Sequence, residues 1–311
     1  MSVNQSDGTI MISHTGCEIG QGINTKCCQA VLSALGLSDV SKIRVTSTSS
    51  SAIANGGVTG GSGTSEVVCQ AAPNACNTFK SRVAPFCSDG VYNISSMDQW
   101  MEMLGDVTAD ISLNVEGWYS PKGNPDGSPW QYFVYGAAVT EVELDVMSGD
   151  LHVISAEIVY DCGISMNPSI DIGQIEGGFV MGLGYFLTES VKHESDGTLF
   201  SNGTWEYKPP LAEEIPTVFN VTLLKDAPND AGILRSKATG EPPMVLTNSV
   251  YFATKMAISS ARKDVQGKSI DFELVVPATV EHRQLACLPN AAHRFVMPSV
   301  SALGAVNRYY R

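Results

Sequence analysis

Apolar residues recur at helical spacing in several segments of the chain. After residue 22, Ile23, Cys27 and Val31 fall on one helix face, and Gly36 is typical of the residue that follows a helix end. Similar spacing predicts helices over 66–80, 97–104 and 244–263, and one that begins near residue 168.

Alternation of apolar and polar residues predicts strands between these helices. Val139–Val146 and Leu151–Tyr160 alternate on either side of the turn sequence Met147–Asp150, which indicates a β-hairpin. Further strands are predicted at 43–48 and 219–224, and a strand pair at 191–200. Prolines interrupt 112–130, which is expected to be an irregular connector. We therefore expect an α+β fold of two mixed α/β subdomains, 1–110 and 111–311.

The first candidate ligand-binding segment is the glycine-containing stretch Gly16–Lys26. Gly20 and Gly22 allow the backbone to approach a ligand closely, and the amide of Gln21 can both donate and accept hydrogen bonds. Because a helix follows directly, its amino end favours a negative charge. The segment suits an anionic or polar cofactor, although it contains neither a dinucleotide fingerprint nor a Walker loop.

A second glycine-rich run, 55–65, lies between a predicted strand and a predicted helix. No lysine follows its last glycine, so the G-x-x-x-x-G-K-[ST] pattern of phosphate-binding P-loops is not met. The run is rich in backbone donors and hydroxyl groups, which can wrap a phosphate or a flat heterocycle. A plain connection from strand to helix is the alternative.

The helix predicted from residue 168 contains Gly173, Gly177, Gly178 and Gly182. Since glycine in a helix costs about 1 kcal/mol relative to alanine, we expect these residues to form a narrow face against which another segment packs. The uninterrupted apolar run is too short to span a membrane.

Glu241 stands out as a candidate base because it lies between Gly240 and the pair Pro242–Pro243. Gly240 permits close approach of the backbone, whereas proline at the beginning of a helix fixes φ without removing a needed donor. The alternative is an acidic residue at the helix start, favoured by the helix dipole.

Taken in order, these segments resemble the carboxyl-terminal molybdenum-pterin domain of the xanthine dehydrogenase and aldehyde oxidase family. The resemblance covers nearly the whole chain and is carried by G-C-E-I-G-Q-G-I-N-T-K, T-G-G-S-G-T-S, Y-G-A-A-V-T-E-V-E-L-D-V, N-P-S-I-D-I-G-Q-I-E-G-G-F-V-M-G-L-G and S-K-A-T-G-E-P-P. The family usually has alanines near Gly61, so the glycines here predict a looser loop.

The resemblance implies that Glu241 is the catalytic base of a molybdenum hydroxylase. Such an enzyme oxidises an aldehyde or an N-heterocycle with oxygen from water, and the base needs a dry setting that raises its pKa. The implied ligands of the molybdenum-pterin cofactor are Gln21, Gly60, Gly61, Ser62, Gly63, Thr64 and Gln174. No side chain is assigned as a metal ligand.

The same resemblance implies that other parts of the enzyme are missing from this chain. Its eight cysteines include no C-x-x-C pair of the kind that holds iron–sulfur clusters. FAD, the 2Fe-2S clusters and an upstream half-domain are expected in missing segments, with a homodimer in the full-length protein. We therefore expect an inactive fragment. Segments 204–210 and 234–240 look more like those of aldehyde oxidases than those of xanthine dehydrogenases. Two alternative functions remain: a non-catalytic scaffold and an unrelated nucleotide-binding domain.

The composition limits the size of the core, the binding partners and the cellular location that we expect. Hydrophobic residues make up 43% of 311 residues, which is enough for a substantial core. The net charge of -13 argues against nucleic-acid binding, because a basic face is needed to neutralise phosphates. The first residues resemble no signal peptide, so a cytoplasmic protein without a membrane partner is expected.

Overall fold

The structure is a computed structural model that describes residues 1–46, 48–51, 53, 56–121, 127, 130–267 and 271–287, without the side chain of Gln266. Part of the expected connector 112–130 lies outside these residues. Helices and sheets both occur, which confirms the α+β class.

The chain forms two compact units that interleave along the sequence. Unit 1 comprises Met1–Tyr135, Asp161–Gln174 and Leu223–Glu241, and unit 2 comprises Gly136–Tyr160, Ile175–Thr222 and Pro242–Arg311. The expected subdomains were instead two continuous segments, 1–110 and 111–311, and that division stays a prediction.

Unit 1 combines a small sheet with helices. Its strands pair in the order β1-β2-β3, antiparallel between β1 and β2 and parallel between β2 and β3. The strands are β1 (Ser2–Val3), β2 (Ile10–Ile12) and β3 (Ile43–Val45), and the helices are α1 (Ile23–Leu35), α2 (Thr64–Val83) and α3 (Met97–Asp106). Helix α1 therefore makes the crossover that the parallel pair β2/β3 requires.

The core of unit 1 lies between α1, α2 and α3. The predicted apolar face of α1 is buried, and Gly36 caps the helix in the left-handed conformation, with its N–H bonded to the carbonyl of Leu32. Trp100 of α3 packs on Phe79 of α2 with ring centroids 5.4 Å apart, and its indole N–H donates to the carbonyl of Gly8 at 3.0 Å. The burial of Trp100 therefore leaves no polar atom of the ring without a partner.

Unit 2 is built on the predicted hairpin. Strands β4 (Gly136–Leu144) and β5 (Leu151–Tyr160) pair in antiparallel fashion, and β6 (Val218–Leu223) lies beside β5. Two helices follow, α5 (Asn248–Gln266) and α6 (Val280–Cys287). The hairpin and the strand at 219–224 are thereby confirmed.

Helix α4 (Pro168–Leu183) begins in unit 1 and ends in unit 2, and its glycines do not share one face. Gly182 is buried, and a Cβ there would collide with the side chain of Thr247 and the carbonyl of Met244. Gly173 and Gly177 are exposed, with no atom within 4 Å of an added Cβ. The predicted single narrow face is therefore wrong, and close packing is limited to the carboxyl half of the helix.

Two predicted elements differ in detail. The helix expected over 244–263 begins as a 3-10 helix, Pro242–Thr247, and becomes α-helical at Asn248. The segment 191–200 turns back on itself as expected, but it has one bridge, between His193 and Leu199, and no regular strand. Backbone bonds flank this bridge, from Glu194 N–H to the carbonyl of Thr198 and from Phe200 N–H to that of Lys192. Among the described residues, no helix has the length and hydropathy needed to cross a bilayer.

Candidate functional site

Glu18 fills the amino end of α1, where the sequence suggested a place for an anionic ligand. Its Oε1 accepts hydrogen bonds from the backbone N–H groups of Gly20 at 3.2 Å and Gly22 at 2.9 Å, and its Oε2 accepts one from Asn24 at 3.2 Å. A carboxylate at this position is favoured by the helix dipole. Sequence reasoning missed this role, although an acidic residue just before a helix start is its usual signal.

The amide of Gln21 is used within the same loop. Its Nε2 donates to the carbonyl of Cys17 at 2.9 Å, and its Oε1 accepts the N–H of Ile19 at 2.8 Å. Gln21 therefore shapes the loop in this structure, and its role as a cofactor ligand stays a prediction.

The run Gly60–Thr64 presents its backbone to open space. Gly61 and Ser62 both have left-handed φ angles, +64° and +53°, and Gly63 precedes α2 without a side-chain cap. No atom lies within 4 Å of a Cβ added at Gly60 or Gly61. The first N–H groups of a helix have no partner inside the helix, so this end of α2 offers donors to a ligand.

Glu241 lies beside this loop. Its backbone N–H donates to Oγ of Ser62 at 2.8 Å, although 179 residues separate the two in sequence. A Cβ added at Gly240 would lie 3.0 Å from Oγ of Ser62 and 3.5 Å from Oε1 of Gln174. Nε2 of Gln174 in turn donates to the carbonyl of Gly20 at 3.3 Å. The fold therefore brings all four candidate segments together within unit 1.

The side chain of Glu241 is exposed. The dry setting expected for a base is therefore not formed by the residues that the structure describes. The neighbouring prolines restrict the backbone of this segment, but they do not cover the carboxylate.

Two buried ion pairs support the segment that ends at Glu241, and neither pair was predicted from the sequence. Nζ of Lys26 lies 2.8 Å from Oδ1 of Asp171, with side chains 12% and 4% exposed. Nζ of Lys237 lies 2.5 Å from Oδ2 of Asp161, with side chains 12% and 6% exposed. Lysines within apolar or glycine-rich surroundings were the available signal, but their partners are far away in sequence.

A cavity of about 320 Å³ opens next to Gly63 and is lined by Glu66, Tyr132 and further aromatic side chains. Burial raises the pKa of the Glu66 carboxyl, against the opposing effect of a hydrogen bond with Tyr132. The hydroxyl oxygen of Tyr132 also accepts the N–H of Ala238 at 3.1 Å. Tyr132 thus joins the cavity wall to the segment that carries Glu241.

The donor set fits a flat cofactor with polar and anionic groups. The loop Gly60–Thr64 has backbone N–H groups and two hydroxyls, with open space beside Gly60 and Gly61. In this structure the hydroxyl of Thr64 accepts the N–H of Gly60 at 3.2 Å, and that of Ser62 accepts the N–H of Glu241. Within the described part of the chain, no group of three or more His, Cys, Asp or Glu residues could hold a metal ion directly.

The chain is similar to known proteins over most of its length. The chain is 40% identical over 292 residues to indole-3-acetaldehyde oxidase of Arabidopsis thaliana and 40% identical over 292 residues to xanthine dehydrogenase/oxidase of Gallus gallus. These matches cover 88% and 91% of this chain, which spans 21% of the length of each relative. Quinoline 2-oxidoreductase from Pseudomonas putida 86 has a similar fold, with a TM-score of 0.75 and 19% identity over 92% of this chain and 37% of that one.

A family model for the molybdopterin cofactor-binding domain matches residues 1–216. Because this match extends over more than half of the 311 residues, the chain belongs to the molybdopterin cofactor-binding domain family.

Proposed function

We propose that this chain forms part of a molybdenum hydroxylase in which Glu241 is the catalytic base. The substrate is an aldehyde or an N-heterocycle, and water supplies the oxygen. The observation that carries the proposal is the position of Glu241 beside Ser62, at the open glycine loop before α2. Both relatives named above are oxidases or dehydrogenases of such compounds by their names.

The chain supplies the binding and proton-transfer parts of the reaction. When bound, the molybdenum-pterin cofactor supplies oxygen transfer and two-electron redox chemistry. The residues Gly60, Gly61, Ser62, Gly63 and Thr64 hold it through backbone N–H and hydroxyl groups. Gln21 and Gln174 add amide groups.

Glu241 accepts the proton of the oxygen nucleophile. Its backbone is fixed beside the glycine loop by the bond to Ser62. A general base works best when its pKa lies near the working pH, and an exposed carboxylate needs an apolar cover to reach that range. We assign this cover to an upstream half-domain of the same enzyme.

The short span of the chain within its relatives supports that assignment. It corresponds to 21% of their length, which leaves room for the upstream half-domain and for FAD and 2Fe-2S domains. The isolated chain is accordingly expected to show little or no turnover. A homodimer and a cytoplasmic location stay predictions for the whole enzyme.

We propose an aldehyde as the substrate, in preference to xanthine. The two relatives share the same identity with this chain but carry different names, one for an aldehyde substrate and one for xanthine. Oxidation rates of indole-3-acetaldehyde and xanthine by the full-length enzyme decide between them.

The test of the base is Glu241→Gln in the full-length enzyme loaded with cofactor. Removal of a general base lowers the rate by about 10²–10⁴-fold, and we expect molybdenum content and thermal stability to stay unchanged. Asp230→Asn is the matched control, because Asp230 belongs to the same segment of the chain and its side chain is 94% exposed. If Glu241→Gln keeps activity within about threefold of the parent, the assignment is wrong. Activity absent from the parent enzyme itself would favour a non-catalytic scaffold.

A further inference from the structure

We propose that Asp171 is a positioning residue that holds the segment of Glu241 through Thr239. The proposal rests on the proposed function of Glu241 and adds the group that fixes its place. Asp171 is buried, so we infer that it acts through the residues it bonds.

Asp171 is a buried acceptor for three donors. It is 3% exposed, and its Oδ1 accepts from Nζ of Lys26 at 2.8 Å and from Oγ1 of Thr239 at 3.3 Å. Its Oδ2 accepts from Oγ of Ser165 at 2.6 Å. A buried carboxylate needs such partners, because desolvation without compensation is costly.

Thr239 connects this acceptor to the base. It is 5% exposed and lies two residues before Glu241. At Lys237 a backbone bond holds the segment, from its N–H to the carbonyl of Cys162 at 2.7 Å. Three bonds to side chains follow: Ala238 N–H to Tyr132, Thr239 to Asp171, and Glu241 N–H to Ser62.

The same turn of α4 also fixes the loop before α1. Asp171 pairs with Lys26, four residues after Gly22, and Gln174, one turn later on α4, donates to the carbonyl of Gly20. The beginning of α4 is thus a common anchor for the α1 loop and the Glu241 segment. The Thr239 hydroxyl is the group that ties the base to this anchor.

The experiment compares three variants of the full-length, cofactor-loaded enzyme. Thr239→Val keeps a similar shape but removes the hydroxyl, and Thr239→Ser keeps the hydroxyl. Ser165→Ala removes a different donor from Asp171 and leaves the Glu241 segment untouched. Steady-state kinetics, molybdenum content, and hydrogen exchange of peptides covering residues 238–244 are measured for each.

We expect Thr239→Val to lower kcat by about tenfold or more, because small misplacements of a catalytic group are expensive. KM and molybdenum content stay near the parent values, since the cofactor loop is unchanged. The peptide covering 238–244 exchanges faster in Thr239→Val with and without cofactor. Thr239→Ser restores kcat to within about threefold, and Ser165→Ala keeps both parent kcat and parent exchange.

Equal kcat for Thr239→Val and Ser165→Ala overturns the proposal, as does equal exchange of the peptide in those two variants. Failure of the base assignment gives a different result, because Glu241→Gln then keeps activity. In that case the exchange comparison still decides whether Thr239 anchors the segment.

Discussion

Lys237→Met is expected to destabilise the chain strongly, because it leaves Asp161 as a buried charge without its cation. Methionine retains most of the length and apolar contact of the lysine stem, so the variant mainly removes the ammonium group. Loss of one partner from a buried ion pair costs about 3–5 kcal/mol. Asp161 keeps one donor, the N–H of Gly163 at 2.9 Å, which places the expected loss near the lower end, about 3 kcal/mol.

Thermal unfolding of the 311-residue chain measures this effect. With an unfolding entropy of about 2.1 cal/mol/K per residue, a loss of that size corresponds to a fall of roughly 5 °C in the unfolding midpoint of a chain of this length. Arg235→Met is the matched control in the same segment, since the Arg235–Asp230 pair is 3.9 Å long with side chains 57% and 94% exposed. Exposed pairs contribute less than about 1 kcal/mol. Equal shifts in the two variants would refute the reasoning from burial.

Two further predictions concern the glycine loop and the buried thiols. Gly61→Ala is expected to lower the free energy of unfolding by about 1–2 kcal/mol, because φ at Gly61 is +64°. Gly60→Ala, also in open space, should cost less than about half of that. Equal losses of stability or of bound molybdenum in the two variants would contradict this prediction. Burial raises the pKa of Cys69 and Cys76 from 9.0 to about 12. These thiols ionise in the unfolded chain first, so the free energy of unfolding falls between pH 9 and about 12, by up to about 1.4 kcal/mol per pH unit and thiol. Urea midpoints from pH 8 to 10.5 should fall less steeply for Cys76→Ala than for the parent, and identical slopes would count against a buried thiol.

Local elements were largely predictable from the sequence. Helix α1 and the β4/β5 hairpin depend on periodic apolar residues and on turn or cap residues within a few positions, all of which the sequence shows. The predicted pair at 191–200 forms one bridge and a few backbone hydrogen bonds but no regular strands, because its residues are exposed and have no apolar face to pack. The prediction that the glycines of α4 form one packed face was wrong for a related reason. Sequence spacing does not show which positions of a helix its neighbours cover.

The family was predictable from the order of the motifs, and the family match over residues 1–216 confirms it. The roles of Gly60–Thr64 and Glu241 at the site stay predictions. The role of Glu18 was missed, because a ligand and a carboxylate satisfy the same free N–H groups and the sequence does not say which is present.

By itself, the sequence determined the periodic elements, the glycine-rich loops and the family, because these depend on residues that are close together or in a fixed order. Only the tertiary structure decided that Ser62 meets Glu241 across 179 residues, and that Asp171 meets Lys26 across 145. Hydrogen bonds and buried charges are short-range interactions between side chains, so they depend on the distances that the folded chain creates. The same holds for the exposure of Glu241, which depends on what packs around it and not on its neighbours in sequence.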